Sequence, residues 1–356
     1  MQADGEAKMD DFIEVSIREA ANFLENTESA LVVCHVSPDG DAVGSALALV
    51  HMLRRMGKKA RAVAPSPVPR FLSFIAEKES FVYEDGLEDG YESVITVDVA
   101  SVSQLGTISH LADIADLMID HHSSGEIFAD NLVDPLASAA GEIVAKIYRT
   151  VTEDGEIEPD PVIASYLYTA ISADTGNFKY SNTTPETLRT AADLMEEVNA
   201  SDGIKTDEIS RLLHDTMSEN DVKLFSLITT SMKKYEDGAL VGALLTTPKI
   251  KLAGLDESDL GGAVDIPRKT ENALVAFVLR QSASNPTIFK LSVRANVELD
   301  VSEVCALFGG GGHVRAAGAT INASSPGKAL EMAVEALKEA VRRYKSETAG
   351  EKNEQK

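Results

Sequence analysis

The spacing of apolar and polar positions changes several times along the chain. Over residues 10–25 the apolar side chains Phe12, Val15, Ile17, Ala20, Ala21 and Leu24 recur at roughly helical intervals, which predicts an amphipathic helix. Residues 31–34 form a short apolar run that reads as a strand. A polar loop follows over 35–40, and then a helical pattern over 42–56 that Gly57 closes. The alternation continues with strands predicted over 60–64, 94–97 and 117–119 and a short helix over 71–76. Helices are predicted over 138–150, 161–172 and 185–198, the last opened by Thr184 as N-cap and Pro185 at the first helical position. Short buried runs alternating with helices predict an α/β fold with a mostly parallel sheet flanked by helices.

After residue 198 the pattern weakens. Residues 199–220 are polar and read as a linker holding a short helix; a helix is then predicted near 222–235 and strands over 239–246, 273–280 and 288–295. Asp300 and Glu303 stand at capping-box spacing before a helix that ends at the Gly309 run. The chain length of 356 residues suits about two domains. The expected organisation is therefore a domain over 1–198, a linker, a smaller α/β domain over 221–345 and a flexible polar tail over 346–356.

Charge narrows the partners. With 33 basic and 57 acidic residues the net charge is −24, so a long polyanion such as extended DNA is repelled, and a short anion needs locally placed cations. Cys34 and Cys305 form neither a disulfide framework nor a thiolate zinc site, which suits a reducing cytoplasm. The N-terminus is acidic and polar, unlike a secretory signal, and no apolar run reaches the roughly 18 residues of a membrane span. The absence of Trp speaks against a broad base-stacking platform.

Four segments carry candidate chemistry. HVSPDGDAVGS leaves a strand and enters a helix with His35, Asp39 and Asp41; taken alone, it reads equally well as a polar turn whose Asp residues cap the helix. VDVAS places Asp98 at a strand end, IDHHSS places Asp120, His121 and His122 at another, and SADTGN places Asp174 just past a helix. In an open parallel sheet, ligands bind beyond the carboxyl ends of the strands, so these recurring acid and imidazole groups point to one shared site. Oxygen and nitrogen donors without thiolate suit Mn²⁺ or Mg²⁺ better than structural zinc. The set exceeds what one ion needs, which predicts two divalent ions activating a water for phosphoryl transfer.

A further stretch, KLSVRANVELDVSEVCALFGGGGHVRAAG, combines four glycines with cationic side chains. Glycines permit close backbone approach to a ligand, and Arg294, His313 and Arg315 beside them form an anion clamp on paper. No Gly-Lys-Ser/Thr follows, so this is not a Walker A loop. His51, His110 and His214 lie outside the acidic clusters and read as surface or structural; Cys34 and Cys305 read as packed and inert.

Together, HVSPDGDAVGS, VDVAS, IDHHSS and SADTGNFKYSNTTPETL resemble the motifs of the DHH phosphoesterase superfamily with a DHHA1 C-terminal domain. With GGGGHVRAAG, they most resemble the oligoribonuclease and 3′-phosphoadenosine-5′-phosphate (pAp) phosphatase group. The resemblance implies that His35 and Asp39 hold one metal, Asp41, His121 and Asp174 the other, and that Asp98 bridges both. His122 is then expected beside the scissile phosphate, with Asp120 orienting its His neighbours. It also implies that Arg294, Gly310, Gly311, Gly312, His313 and Arg315 contact substrate across a cleft between the domains. The implied substrates are short RNA and pAp-like nucleotides, and a homodimer is implied. The chain departs from the pattern at Ala295, where relatives often carry Ser, and at Lys179, where they often carry Arg. Alternatives are a phosphodiesterase for cyclic or linear dinucleotides and, from another class, a catalytically inactive nucleotide-binding regulator.

Overall fold

The computed structural model describes residues 12–76, 81–83 and 90–354, and its order of elements sets where the motifs fall. Helix α1 (Ile17–Asn26) leads to β1 (Ser29–Val33), α2 (Gly40–Arg55), β2 (Lys59–Val63), β3 (Phe81–Val82), β4 (Ser93–Val97), β5 (Leu117–Asp120) and β6 (Asp130–Val133). Helices α3 (Ala140–Glu153), α4 (Pro161–Asp174), α5 (Pro185–Ala200) and α6 (Thr206–Ser210) follow. The six strands pair in the order β3-β2-β1-β4-β5-β6, and every pairing is parallel. All five residues of β4 are buried, as expected of a strand covered on both faces. One face carries the large core in which α2, α3, α4 and α5 pack; the other is covered by Leu105, Ile108 and Leu111 of the segment after β4.

In this order the chain direction across the sheet reverses between β1 and β4. Such a switch point splays the loops that leave two adjacent strands and opens a crevice at their carboxyl ends. The loops leaving β1 and β4 begin with Cys34-His35 and Asp98.

Three local expectations in the first half of the chain need correction. Helix α1 begins at Ile17, because Ser16 and Glu19 form a capping box there; the residues before it are extended, with Glu14 bridged to Asn131. The predicted start at Asp10 lies outside the described residues. The helix expected over 71–76 shrinks to a single 3-10 turn, Arg70–Leu72, entered through Pro69. Asp174 is the last residue of α4, with Thr175 as C-cap, and does not lie past the helix.

The chain divides into two compact units, Met1–Thr216 and Met217–Lys356. The second contains α7 (Glu219–Ser231), β7 (Met232–Tyr235), β8 (Leu240–Leu245), α8 (Thr247–Leu252), α9 (Asp265–Arg268), β9 (Val275–Gln281) and β10 (Ile288–Ala295). It continues with α10 (Val301–Ala306), β11 (Gly311–His313), β12 (Ala316–Asn322) and α11 (Pro326–Glu354). Its strands pair in the order β11-β12-β10-β9-β8-β7; β8 and β9 are parallel, and the other neighbours are antiparallel. The pattern over 222–235 predicts one helix, but the chain turns into an edge strand at Met232. The segment 346–356 continues α11 as far as Glu354, where the sequence predicts a flexible tail. Among the described residues no helix is long and apolar enough to cross a membrane.

Helices α2 and α4 carry Asp41 and Asp174, and they approach closely at Gly44. A Cβ there would lie 2.5 Å from the Tyr166 carbonyl oxygen. Helix propensity alone favours Gly44→Ala by about 1 kcal/mol, whereas overpacking costs about 1–3 kcal/mol. We expect net destabilisation in denaturant unfolding; a stabilised Gly44→Ala variant would contradict the close helix contact.

Candidate metal centre

The crevice at the switch point holds a cavity of about 280 Å³ lined by His35, Asp39, Asp98, Gln104, His121, His122 and Asp174. A larger groove of about 530 Å³ between α7 and α8 includes Val222, Leu227 and Leu252 in its lining, with no carboxylate or imidazole, so volume alone does not mark the chemistry.

Each side chain reaches the cavity from the end of a regular element. His35 follows β1; its Nδ1 donates to the Val36 carbonyl at 2.8 Å, which leaves Nε2 3.4 Å from Asp98 Oδ2 and 3.9 Å from Asp39 Oδ1. Asp39 is the N-cap of α2, its Oδ1 accepting from the backbone N–H groups of Asp41 and Ala42. The capping turn and the site are thus one structure, and the two readings of this loop do not compete.

Asp41 is fully buried one turn into the cluster. Its Oδ2 accepts from Ala140 N at 2.7 Å, and its Oδ1 from Gly141 N at 2.8 Å and from Ser45 Oγ at 2.9 Å. The N-terminus of α3 therefore cradles this carboxylate with unpaired N–H groups and the positive end of its dipole. The cradle requires glycine: a Cβ on Gly141 would fall 2.4 Å from Ala170 Cβ.

Asp98 leaves β4 with φ of 58°, a left-handed conformation that a non-glycine residue adopts at a cost. Its carboxylate is central: Oδ1 lies 3.7 Å from His121 Nε2 and 3.7 Å from His122 Nδ1, while Oδ2 faces His35. That Oδ1 is buried without a hydrogen-bond partner. A buried, unpartnered carboxylate oxygen among imidazoles fits a divalent cation. His121 Nε2 also lies 3.8 Å from Asp41 Oδ2 and 3.5 Å from Asp174 Oδ2, while its Nδ1 donates to the Ala137 carbonyl at 3.4 Å. A ring nitrogen tied to a carbonyl, with the other facing carboxylates, is the usual arrangement of a ligating histidine.

Asp120, nearly fully buried, accepts from His122 Nδ1 at 2.7 Å. Asp120 bonds to His122, whereas His121 is bonded to the Ala137 carbonyl. The ligand atoms fall into three compact groups, Asp98–His121–His122, His35–Asp39–Asp98 and Asp41–His121–Asp174, each within 4.8 Å.

The charges perturb one another. Burial works against a charged His35, but the Asp39 and Asp98 carboxylates outweigh it and push its pKa up to about 11. Burial, with the Asp98, Asp174 and Asp39 charges, pushes Asp41 well above the carboxylate range. Burial raises Asp174 to about 6, His121 opposing and Asp39 and Asp98 adding to the rise. The hydrogen bond to Asp120 raises His122.

Gln104 was not among the candidates. Its Oε1 accepts from Ala100 N and Ser101 N, and its carbonyl accepts from Val36 N at 2.7 Å, so it ties the loops after β1 and β4 together. The capping-box spacing of Ser101 and Gln104 was the available signal.

In the second unit, register places Arg294 opposite Ala316 and Ala316 opposite His313, so Arg294 and His313 share a sheet face two strands apart, about 10 Å. Lys290 and Ser292 alternate onto that same face. Arg294 Nη1 donates to the Val293 carbonyl at 3.0 Å; Arg315 is paired with Glu298. Gly310 and Gly312 allow β11 to pass against β12, since a Cβ would meet the Gly318 carbonyl oxygen at 2.2 Å and the Ala316 one at 2.5 Å; Gly311 faces open space. The glycine run, read as a helix-ending turn or phosphate loop, thus has a structural role as a hairpin.

The remaining candidates are structural. His51 does have an acidic neighbour, its Nε2 lying 3.4 Å from Asp160 Oδ2, and His214 Nε2 pairs with Ser172 Oγ at 2.9 Å. Cys34 and Cys305 are buried and unpaired, as expected.

Comparison with known proteins finds matches in both units of the chain. The family model described as DHH family, N-terminal domain, matches residues 29–171, and the DHHA1 domain model matches residues 248–343. The bifunctional oligoribonuclease and PAP phosphatase NrnA of Thermus thermophilus is 31% identical over 329 residues, spanning 92% of this chain and 95% of that protein. The protein of the same description from Bacillus subtilis is 31% identical over 209 residues, 58% of this chain and 63% of its own length. A crystal structure of an exopolyphosphatase-related protein from Bacteroides fragilis superposes with a TM-score of 0.79 at 26% identity, covering 93% of this chain and 96% of that one. With the DHH motifs at the carboxyl ends of the parallel strands and the DHHA1 match following in sequence, the chain belongs to the DHH–DHHA1 family, in the group of the NrnA proteins, and is a phosphoric ester hydrolase.

Proposed function

We propose that this protein hydrolyses short oligoribonucleotides to mononucleotides and dephosphorylates pAp to AMP at a centre of two divalent cations. The observation that carries the reading is the Asp98 carboxylate, whose two oxygens face separate donor groups, His35 on one side and His121 with His122 on the other. His35 and Asp39 would hold one ion, Asp41, His121 and Asp174 the other, with Asp98 shared between them. When bound, such ions supply an activated water and offset charge developing on the phosphate. Mn²⁺ is the favoured cation.

The chain's own residues do the rest. Asp120 holds His122 in one tautomer and orientation, so that its ring can polarise the phosphate or the leaving oxygen. The first unit supplies the chemistry and residues 221–345 the grip on substrate. Arg294 and His313, on one face of the second sheet, offer donors to a terminal phosphate, and Gly311 leaves its backbone open to approach. A few cationic donors serve a ligand of a few nucleotides, which agrees with a net charge of −24. Candidate ligands stand at every position of the metal set, which speaks against an inactive regulator.

Three outcomes test the reading. Asp98→Asn should release both ions and lower phosphate release from pAp by at least about 10³-fold; near-normal turnover would refute the shared role. Arg294→Ala should raise KM more than it lowers kcat, because a contact equal in ground and transition states affects binding alone; an unchanged KM would remove Arg294 from the substrate site.

The third concerns pH. The folded Asp174 carboxyl sits near 6, above its ordinary value, so the metal-free fold binds this proton more tightly than the unfolded chain, and its stability falls as pH rises from about 4 to about 6. Cation binding needs Asp174 ionised and His35 neutral, so it strengthens over the pH range in which they lose protons. The rise in Tm on adding Mn²⁺ should therefore be larger at about pH 8 than at about pH 5; equal shifts would contradict the assignment.

A further inference from the structure

The two donor groups flanking Asp98 are supported differently. On one side, His35 is held by the adjacent Val36 carbonyl and Asp39 by the N-terminus of its own helix α2. On the other, three residues from distant parts of the chain lean on one short loop, residues 137–141. The Ala137 carbonyl accepts from His121 Nδ1. Ala140 N and Gly141 N hold the two oxygens of Asp41. The Ser138 carbonyl accepts from Asn182 Nδ2 at 2.9 Å, and the same amide nitrogen donates to the Asp174 carbonyl at 3.1 Å.

Besides Asp41 itself, a second carboxylate holds that segment. Glu142 is almost completely buried, and its Oε2 accepts three hydrogen bonds: from Ser138 N at 3.1 Å, Ser138 Oγ at 2.7 Å and Thr187 Oγ1 at 2.9 Å. Ser138 and Thr187 are fully buried as well. Ala139, at the N-cap of α3, has no side chain to close the helix end, so Glu142 reaches back past it to Ser138. Through Thr187 it also joins the first turn of α5 to the first turn of α3. Lys146, whose Nζ lies 3.8 Å from Oε1, is the nearby counter-charge. A buried carboxylate oxygen that accepts three hydrogen bonds holds the groups bonded to it in one arrangement.

We propose that Glu142 is a positioning residue for one of the two cations: by fixing residues 137–141 it sets the geometry of Asp41, His121 and Asp174 together, while leaving the His35–Asp39 side unaffected. This rests on the two-cation reading above. Glu142 touches none of the three donor side chains directly, so its effect is transmitted through backbone N–H and C=O groups. Asp98, shared by both groups, takes its backbone support from the Ile119 carbonyl and not from this loop.

The experiment is a Mn²⁺ titration of the full-length, metal-free protein by calorimetry, with electron paramagnetic resonance to count bound ions. The wild type should bind two ions. Glu142→Gln keeps the shape but exchanges the carboxylate for an amide, and it should bind one ion at wild-type affinity and the second about 10-fold more weakly, the lower end of what losing a direct hydrogen-bond partner of a ligand costs. Two ions at wild-type affinity in Glu142→Gln would overturn the proposal, as would equal weakening of both, which marks general loosening. Fewer than two ions on the wild type would instead sink the two-cation reading and the proposal with it. Should Glu142→Gln fail to fold, Thr187→Val removes one of the three bonds and should weaken the same single ion by a smaller factor; an unaltered titration there also overturns the proposal.

Discussion

Buried carboxylates repel one another, and Asp39, Asp41, Asp98 and Asp174 are gathered at the carboxyl end of a parallel sheet. Two unit charges within 4.8 Å, as in the Asp39–Asp98 and Asp41–Asp174 pairs, oppose each other by about 3–4 kcal/mol at an effective dielectric of about 20. The fold offsets part of this with N–H groups: Asp39 and Asp41 sit at the N-termini of α2 and α3, where unpaired donors and the helix dipole favour negative charge. His35 and His121 offset more. The Asp98 oxygen that stays unpartnered, and the raised pKa values of Asp41 and Asp174, mark what is left over. A pair of divalent cations has the charge to absorb it, which is why the proposed chemistry and the local architecture follow from one electrostatic requirement.

That requirement also explains how an acidic protein can act on an anion. On the proposed reading, bound cations would concentrate the neutralising charge in one crevice of a chain whose net charge is −24. In the second unit, the strand period of two brings Lys290 and Arg294 to one face of β10, with His313 joining them across β12. On the proposed reading, a short phosphate-bearing ligand would use this patch.

Much of this was legible in the residues. Apolar runs such as Val94–Val97 read as strands because a parallel strand is covered on both faces, and each of the four motifs stood where a run ended, so a common site followed from the geometry of open sheets. Less visible was whatever depends on one or two backbone contacts. The two-residue β3 and the edge strands β6 and β7 lack a recognisable pattern. The start of α1 hinges on the reciprocal bonds of Ser16 and Glu19, and the β11–β12 hairpin is hidden because the glycine run suggests approach to a ligand, while Gly310 and Gly312 also let two strands pass closely. Gln104 and Glu142 escaped notice for a related reason: both act by bonding to the backbone of loops distant in sequence, and no spacing rule reports such contacts. The resemblance of the motifs supplied the assignment of individual ligands, which composition and periodicity could not.

The most direct measurement is anomalous scattering at the manganese edge from crystals of the protein grown with Mn²⁺. The account predicts two peaks about 3.5–4 Å apart, one beside His35 and Asp39 and the other beside Asp41, His121 and Asp174, with Asp98 between them. A single peak, or peaks away from Asp98, would contradict it.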